Sequence, residues 1–486
     1  MATTESFVEL RAAAIDGRTH NIYYRQHQLE ALHQGLLAHA SEIQEAIAAD
    51  YEHSPSEIAI ELHLVISSLR TSYETLQPKK ALADEYLVAS GKDAPNHRFP
   101  AGIVYIEPCK HTLLFSIVAP LSAAIAAGNC VILHVIVADF PIDQLADDSG
   151  SLTSVLRNTL QQALHSDTFA IASSSIRDSK ILDRALVVDQ NCGIGPRPKA
   201  NILASPSRSH VVAVVDRTAD IKLAARELAA AKIGFGGTSP YAPDVVLVNE
   251  FVKEEFLRAV AEERAKMSMM DGSKKLKSNR DSDIKAHEEN DAAVFDAPAR
   301  RSESSETNTA SSALDVFAVK SLDDAIDYLG SACVGPALAA YHFGNPQVGK
   351  YLAQFVDARV SFVNHVNREL LVGPARPAAH GHHSSLAYTV DMFSLPRPAF
   401  IRTPASSSKI AAAMSTGSAS VGREILEQAL SPLKTMKRKP GGGIGFFEQG
   451  LLISVGLILT MTISASGAGL VWIVRNGWIP SMSWTV

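Results

Sequence analysis

Cysteine is scarce in this 486-residue chain, which has only Cys109, Cys130, Cys192 and Cys333. They lie far apart, with no CxxC pair and no zinc-ligand spacing. This excludes a disulfide framework and a thiolate metal centre. The usage suits a reducing, cytosol-facing compartment, where thiols serve as small apolar side chains. An excess of charge is missing too. Lysine and arginine number 45 against 51 aspartates and glutamates, a formal net charge of −6, and no basic stripe is interleaved with aromatics. Nucleic acid is therefore excluded as an expected partner. Met1–Glu9 has neither a basic start nor an apolar core, so no signal peptide is read there. No internal repeat occurs.

Apolar residues are plentiful, at 46% of the chain, enough for buried cores in two or three domains. Leu29, Leu32, Leu36, Ile43 and Ile47 fall at helical spacing, and 56–76 continues as a second amphipathic helix. Strand patterns follow at 102–106, 129–135, 186–188, 211–215 and 245–248. Between them lie a small-residue helix over 120–128 and a helix over 220–233, for which Thr218 is a fair cap and Gly234 a fair stop. Strands separated by helices imply right-handed crossovers and mostly parallel sheets, an α/β fold. The stretch 270–312 is polar, charged and poor in aromatics, so loop or disorder is expected. Pattern resumes at 317–319 and in a helix over 321–329 capped by Ser321.

The one long uncharged run, Leu451–Val474, is sufficient to cross a hydrocarbon core of roughly 30 Å as a helix. Upstream stand Lys434, Lys437, Arg438 and Lys439, then a Pro440–Gly443 joint. Downstream only Arg475 is charged. This cationic excess keeps the upstream side cytosolic, so the run reads as a C-terminal tail anchor.

The segment Ala231–Val248, AKIGFGGTSPYAPDVVLV, resembles the aldehyde dehydrogenase stretch G-Q-x-C-x-A-P-x-x-V-L-V, whose cysteine attacks the substrate carbonyl. Further resemblance lies in 102–129, which ends in AIAAGN, in 211–248, in Val319–Ile326 (VKSLDDAI), and in Asp391, Phe393 and Ser394. The similarity is closest to the class 3, fatty-aldehyde-type branch and spans most of 5–402. It implies an aldehyde dehydrogenase-like fold: a Rossmann-like cofactor domain over 1–203 with a bridging element near 83–101, then a catalytic-type α/β domain over 204–380. A bridging and oligomerisation segment over 381–402, a linker over 403–446 and a transmembrane anchor over 447–476 complete the chain.

The resemblance also shows what has been lost. The nucleophile position holds Pro240, or Ser239 if one residue is inserted. The oxyanion-donor asparagine falls on His111, and the general-base glutamate on Ala204 in Ala204–Arg208. On the cofactor side, where the resemblance implies NAD or NADP, the ribose-binding lysine matches His134. The phosphate turn reads Asp189-Gln190-Asn191, and the nicotinamide-ribose glutamate best matches Ala293. The Gly-rich loop has become Gly373-Pro374-Ala375-Arg376-Pro377. Apolar patterning survives on both sides of each change. His380, His382 and His383 lack fixed helical spacing and a nearby carboxylate or cysteine, so they read as a solvated loop and no metal is expected. Cys192 reads as a small filler. The expectation is a membrane-held binding or regulatory subunit, catalytically degraded, with a homodimer implied by resemblance and room for an unidentified protein partner. The endoplasmic reticulum is the favoured membrane. The alternative is an NAD(P)-dependent oxidoreductase converting a long-chain aldehyde to the acid, with Ser239 or Cys192 standing in for the thiol.

Overall fold

The computed structural model describes residues 7–51, 53–134, 152–172, 176, 179–191, 201–206, 210–270, 284–287, 314–332, 335–377, 387–417, 419–434 and 446–476. The chain divides into two compact units, Met1–Arg402 and Thr403–Val486. Among the described residues the strands are, in chain order, β1 (Arg98–Pro100), β2 (Ile103–Glu107), β3 (Cys130–His134), β4 (Phe169–Ala172), β5 (Leu186–Asp189), β6 (Ile202–Ala204) and β7 (Val211–Val215). They continue as β8 (Val245–Asn249), β9 (Ile284–His287), β10 (Leu314–Val319), β11 (Ala339–Phe343), β12 (Ser361–Val363) and β13 (Ser394–Pro396).

Two parallel sheets organise the first unit. One has the order β4-β3-β2-β5-β6, so successive strands step outward from β2 to one side and then to the other. This is the doubly wound arrangement, whose direction reverses between β2 and β5. The other sheet runs β12-β11-β7-β8-β10-β9, also parallel throughout. Its central strands β7 and β8 are buried along their whole length. That explains why they read as unbroken apolar runs and not as alternating ones. A separate antiparallel ribbon pairs β1 with β13, placing Phe99 opposite Leu395.

The N-terminal helical pattern resolves into two helices, Ile22–Ala38 and Ala40–Tyr51, and Leu29, Leu32, Leu36, Ile43 and Ile47 are all completely buried. The small-residue helix begins seven residues earlier than its sequence signal, at Leu113, and runs to Ala127 with Pro120 inside it. Every one of its side chains is buried. A proline in mid-helix removes the hydrogen bond to the carbonyl four residues back. Here that carbonyl, on Ser116, accepts one from Gln190 Nε2 at 2.8 Å, so burial incurs no unpaired-group penalty.

Three local expectations need correction. Asp220, not Thr218, caps the helix Ile221–Ile233 by accepting from the Leu223 amide. Thr218 instead donates to Asp216 and accepts from the Asn345 amide. Within the polar stretch, residues 284–287 form β9, whose backbone is paired with β10, so they are not loop. The linker after Arg402 contains two helices, Ala405–Thr416 and Ala419–Leu430, because its many alanines favour helix more than its serines oppose it. In the second unit the helix Phe446–Arg475 contains Gln449–Gly469, long and apolar enough to cross a membrane, with a mean hydropathy of 1.9 and no buried residue.

Candidate active site

In a doubly wound sheet a ligand sits beyond the carboxyl ends of the strands where the order reverses. Here those ends are Glu107 of β2 and Asp189 of β5, and the two loops leaving them are stitched together. Gln190 Oε1 accepts from the Cys109 amide at 2.9 Å, and its Nε2 donates to Ser116 O. Asn191 Nδ2 donates to Pro108 O at 2.9 Å. The Gln190 amide itself donates to Glu107 O. Both side chains at the phosphate-turn position are thus committed to holding the β2 loop. At the end of β3, His134 Nδ1 lies 3.8 Å from Glu107 Oε1. Burial lowers the His134 pKa, more than Glu107 raises it, so the ring is neutral near pH 7 and supplies no cation to a ribose or phosphate. Ala293 and Cys192 lie outside the described residues, as do His380, His382 and His383. Among the described residues no group of three His, Cys, Asp or Glu side chains could hold a metal ion.

The β2 loop continues through His111 to Thr112, which starts the buried helix in a left-handed conformation at φ 44°. Thr112 Oγ1 accepts from the Gly373 amide at 2.7 Å, and His111 Nε2 lies 2.8 Å from Leu371 O. A carbonyl only accepts, so Nε2 carries the proton. The other ring nitrogen, Nδ1, lies 2.7 Å from Thr238 Oγ1. Both ring nitrogens of His111, the residue that the resemblance puts at the oxyanion-donor position, are therefore engaged by protein groups. Gly373 stands at φ +89°, and a Cβ there would come within 2.5 Å of the Phe115 ring, so this close approach requires glycine.

The nucleophile loop is closed in the same way. Ser239 is completely buried, and its hydroxyl accepts from the Tyr241 amide at 3.2 Å in a tight turn. Pro240 has no reacting atom. Just before them, Phe235 is forced to φ 52°. Its amide donates to Glu57 Oε1 at 2.6 Å, and its ring sits edge-on to both His53 and His111. Tyr241 is held from both ends: its carbonyl accepts from the Tyr341 hydroxyl at 2.9 Å and its hydroxyl accepts from the Arg376 amide at 3.1 Å. Ala204 ends β6 opposite Asp189 and offers no proton acceptor in its side chain.

Two carboxylates are prominent here that sequence reasoning passed over. Glu57 completes a capping box with Ser54 at the start of the helix Pro55–Glu74. The spacing Ser54-Pro55-Ser56-Glu57 signals that role in the sequence. Glu61, one turn later, is 1% exposed and accepts from the Phe115 amide at 3.2 Å. Burial pushes its carboxyl up to about 7, against the pull of the Phe115 and Leu114 amides. Nearby, burial pushes the Cys109 thiol up to about 11, so it is no thiolate near neutral pH. Its sulfur lies 3.2 Å from Ser116 Oγ.

A substrate-bound AldH of Staphylococcus aureus superposes with a TM-score of 0.59 at 17% identity, covering 82% of this chain and 94% of that one. The fold is that of an aldehyde dehydrogenase. The glyceraldehyde-3-phosphate dehydrogenase GapN of Methanocaldococcus jannaschii, solved with NADP, has the same fold, with a TM-score of 0.55 at 13% identity over 81% of this chain and 92% of its own. In sequence the chain is similar to aldehyde dehydrogenase family 3 member B1 of Bos taurus, 26% identical over 277 residues, or 53% of this chain and 55% of that protein. The chain spans little more than half the length of the curated relatives it matches. No family model matches it. Set against the aldehyde dehydrogenase pattern, the structure brings His111 and the Ser239–Pro240 loop together across Thr238. Ala204 is joined through β6 and β5 to the loop of Gln190 and Asn191. Of the residues that the family resemblance assigns to NAD or NADP, Gln190 and Asn191 are spent on holding the β2 loop, and burial lowers the pKa of His134, so these side chains do not fit a cofactor's phosphates.

Proposed function

We propose that this chain is a catalytically silent protein of aldehyde dehydrogenase fold, serving as a binding or regulatory subunit held to a membrane by the helix Phe446–Arg475. The observation that carries the reading is the commitment of His111, whose ring nitrogens bond Thr238 and Leu371 O. An oxyanion donor must be free to meet charge as it develops in the transition state, and this one is already engaged. The sealed Ser239 hydroxyl and the apolar Ala204 side chain support the same conclusion. Parts of a catalytic unit act together, so losing several leaves little for the rest. The apolar, fully exposed 449–469 segment and the basic residues before it support anchoring with the bulk of the chain cytosolic, the endoplasmic reticulum being the favoured membrane. Exposed Leu395, Phe400 and Ile401 beside the β1–β13 ribbon support pairing with a second copy.

A second reading keeps the activity: NAD(P)-dependent oxidation of a long-chain aldehyde to its acid, supported by the similarity to aldehyde dehydrogenases. It requires Ser239 to leave its turn, or Cys192 to act. The deciding experiment offers the full chain in detergent NAD, NADP and medium- to long-chain aldehydes, following NAD(P)H formation and thermal unfolding together. The expected result is folded protein with no turnover and no stabilisation. A cofactor at 100 times its dissociation constant would add about 2.7 kcal/mol. Turnover that disappears in Ser239→Ala would overturn the proposal and establish the second reading.

A further inference from the structure

The helices Ala405–Thr416 and Ala419–Leu430 contact each other and are joined by a Lys409–Glu424 ion pair at 3.6 Å. No described residue in either one is buried. Each carries large apolar side chains one turn apart on one face, Ile410 with Met414 and Leu426 with Leu430, and Leu433 follows. Met414 is 82% exposed, Leu430 74% and Leu433 93%. Helices of 12 residues are marginal in water without an apolar surface to pack on. Among the described residues these apolar side chains are left without a covering surface.

We infer that the hairpin Ala405–Leu430 lies on the surface of the bilayer that the helix Phe446–Arg475 enters, with Ile410, Met414, Leu426, Leu430 and Leu433 in its interfacial layer. The inference rests on the anchor reading given above. Two observations select a lipid surface as the occupant. The first is the tether: only 431–445 separates the hairpin from the anchor helix, and a chain of that length reaches at most about 55 Å fully extended. The anchor therefore keeps the hairpin within that reach of the membrane. The second is charge. That tether carries Lys434, Lys437, Arg438 and Lys439 and no acidic residue, which draws it toward anionic headgroups. An amphipathic helix then lies in the interfacial plane, with its apolar face immersed in the headgroup–acyl boundary.

The test reconstitutes the full chain into vesicles of phosphatidylcholine, phosphatidylserine and a phospholipid bearing a photoactivatable diazirine near its headgroup. Cross-linked residues are then mapped by mass spectrometry. Lipid adducts are expected both in 405–433 and in 446–475. In the variant M414E/L430E/L433E the hairpin adducts are expected to fall about tenfold while the anchor adducts persist, as a charge is costly to immerse. Adducts confined to 446–475 in the parent chain would overturn the proposal and leave the anchor standing, with the hairpin covered by protein. Hairpin adducts undiminished in the variant would also overturn it. Adducts in neither segment would remove the anchor reading itself.

Discussion

Ser239, one of the two residues that the family resemblance offers for the nucleophile position, has its oxygen accepting the Tyr241 amide inside a completely buried turn. Its role is therefore measured in stability. Ser239→Ala is expected to cost about 1 kcal/mol, the net worth of one intramolecular hydrogen bond, read as a lower urea midpoint. It should change no catalytic rate, and an unaltered midpoint would show that the turn is not held this way. Glu61 gives a prediction in pH. A solvated carboxyl titrates near 4.5 and this one near 7, so between those values the folded chain keeps a proton that the unfolded chain has lost. Stability from this group therefore falls as pH rises through that window, and the loss is complete above it. Glu61→Gln keeps the acceptor for the Phe115 amide and removes the titration. It is expected to flatten the stability profile and to exceed the parent above about pH 7 by up to ~3 kcal/mol. Parallel profiles across about pH 5 to 8 would sink the argument.

Among the elements, the helix Leu113–Ala127 and the loop before it tie the site together. The helix is mostly apolar, and three polar contacts of the helix and its Thr112 cap reach parts of the chain distant in sequence: Glu61 at its start, Gln190 at the carbonyl freed by Pro120, Gly373 at Thr112. Gln190→Ala would strand two backbone groups at once, Ser116 O and the Cys109 amide. A loss of about 2 kcal/mol or more is expected, and faster amide exchange at Cys109 should accompany it. If exchange there stays slow, another group must satisfy the loop. The element pattern itself was legible in the sequence. Val211–Val215 and Val245–Val248 read as buried strands because parallel strands covered on both faces need apolar residues at every position. The start of the helix at Leu113 was not legible. Pro120 reads locally as a helix start, and only the distant Gln190 amide makes it tolerable in the middle.

For the molecule as a whole, the two sheets and the ribbon supply the aldehyde dehydrogenase scaffold, while the second unit provides the membrane-competent helix. The full chain expressed in cells is expected to sediment with membranes and to resist alkaline carbonate extraction. Truncation after Lys434 should release it, and an extractable full chain would remove the anchor from the proposal. The proposed silence is compatible with this scaffold, since fold is set by burial over many residues and reaction by a few side chains. The sequence by itself determined the α/β class, the buried strands, the uncharged C-terminal run and the residue identities in the stretches that resemble an aldehyde dehydrogenase, because apolar periodicity and residue identity are local properties. Only the tertiary structure decided what the substitutes do. Thr238 and Leu371 lie 127 and 260 positions from His111 along the chain, and no local pattern records that they claim its two nitrogens. The same holds for Gln190 and Asn191, which look like free amides until folding brings the β2 loop against them.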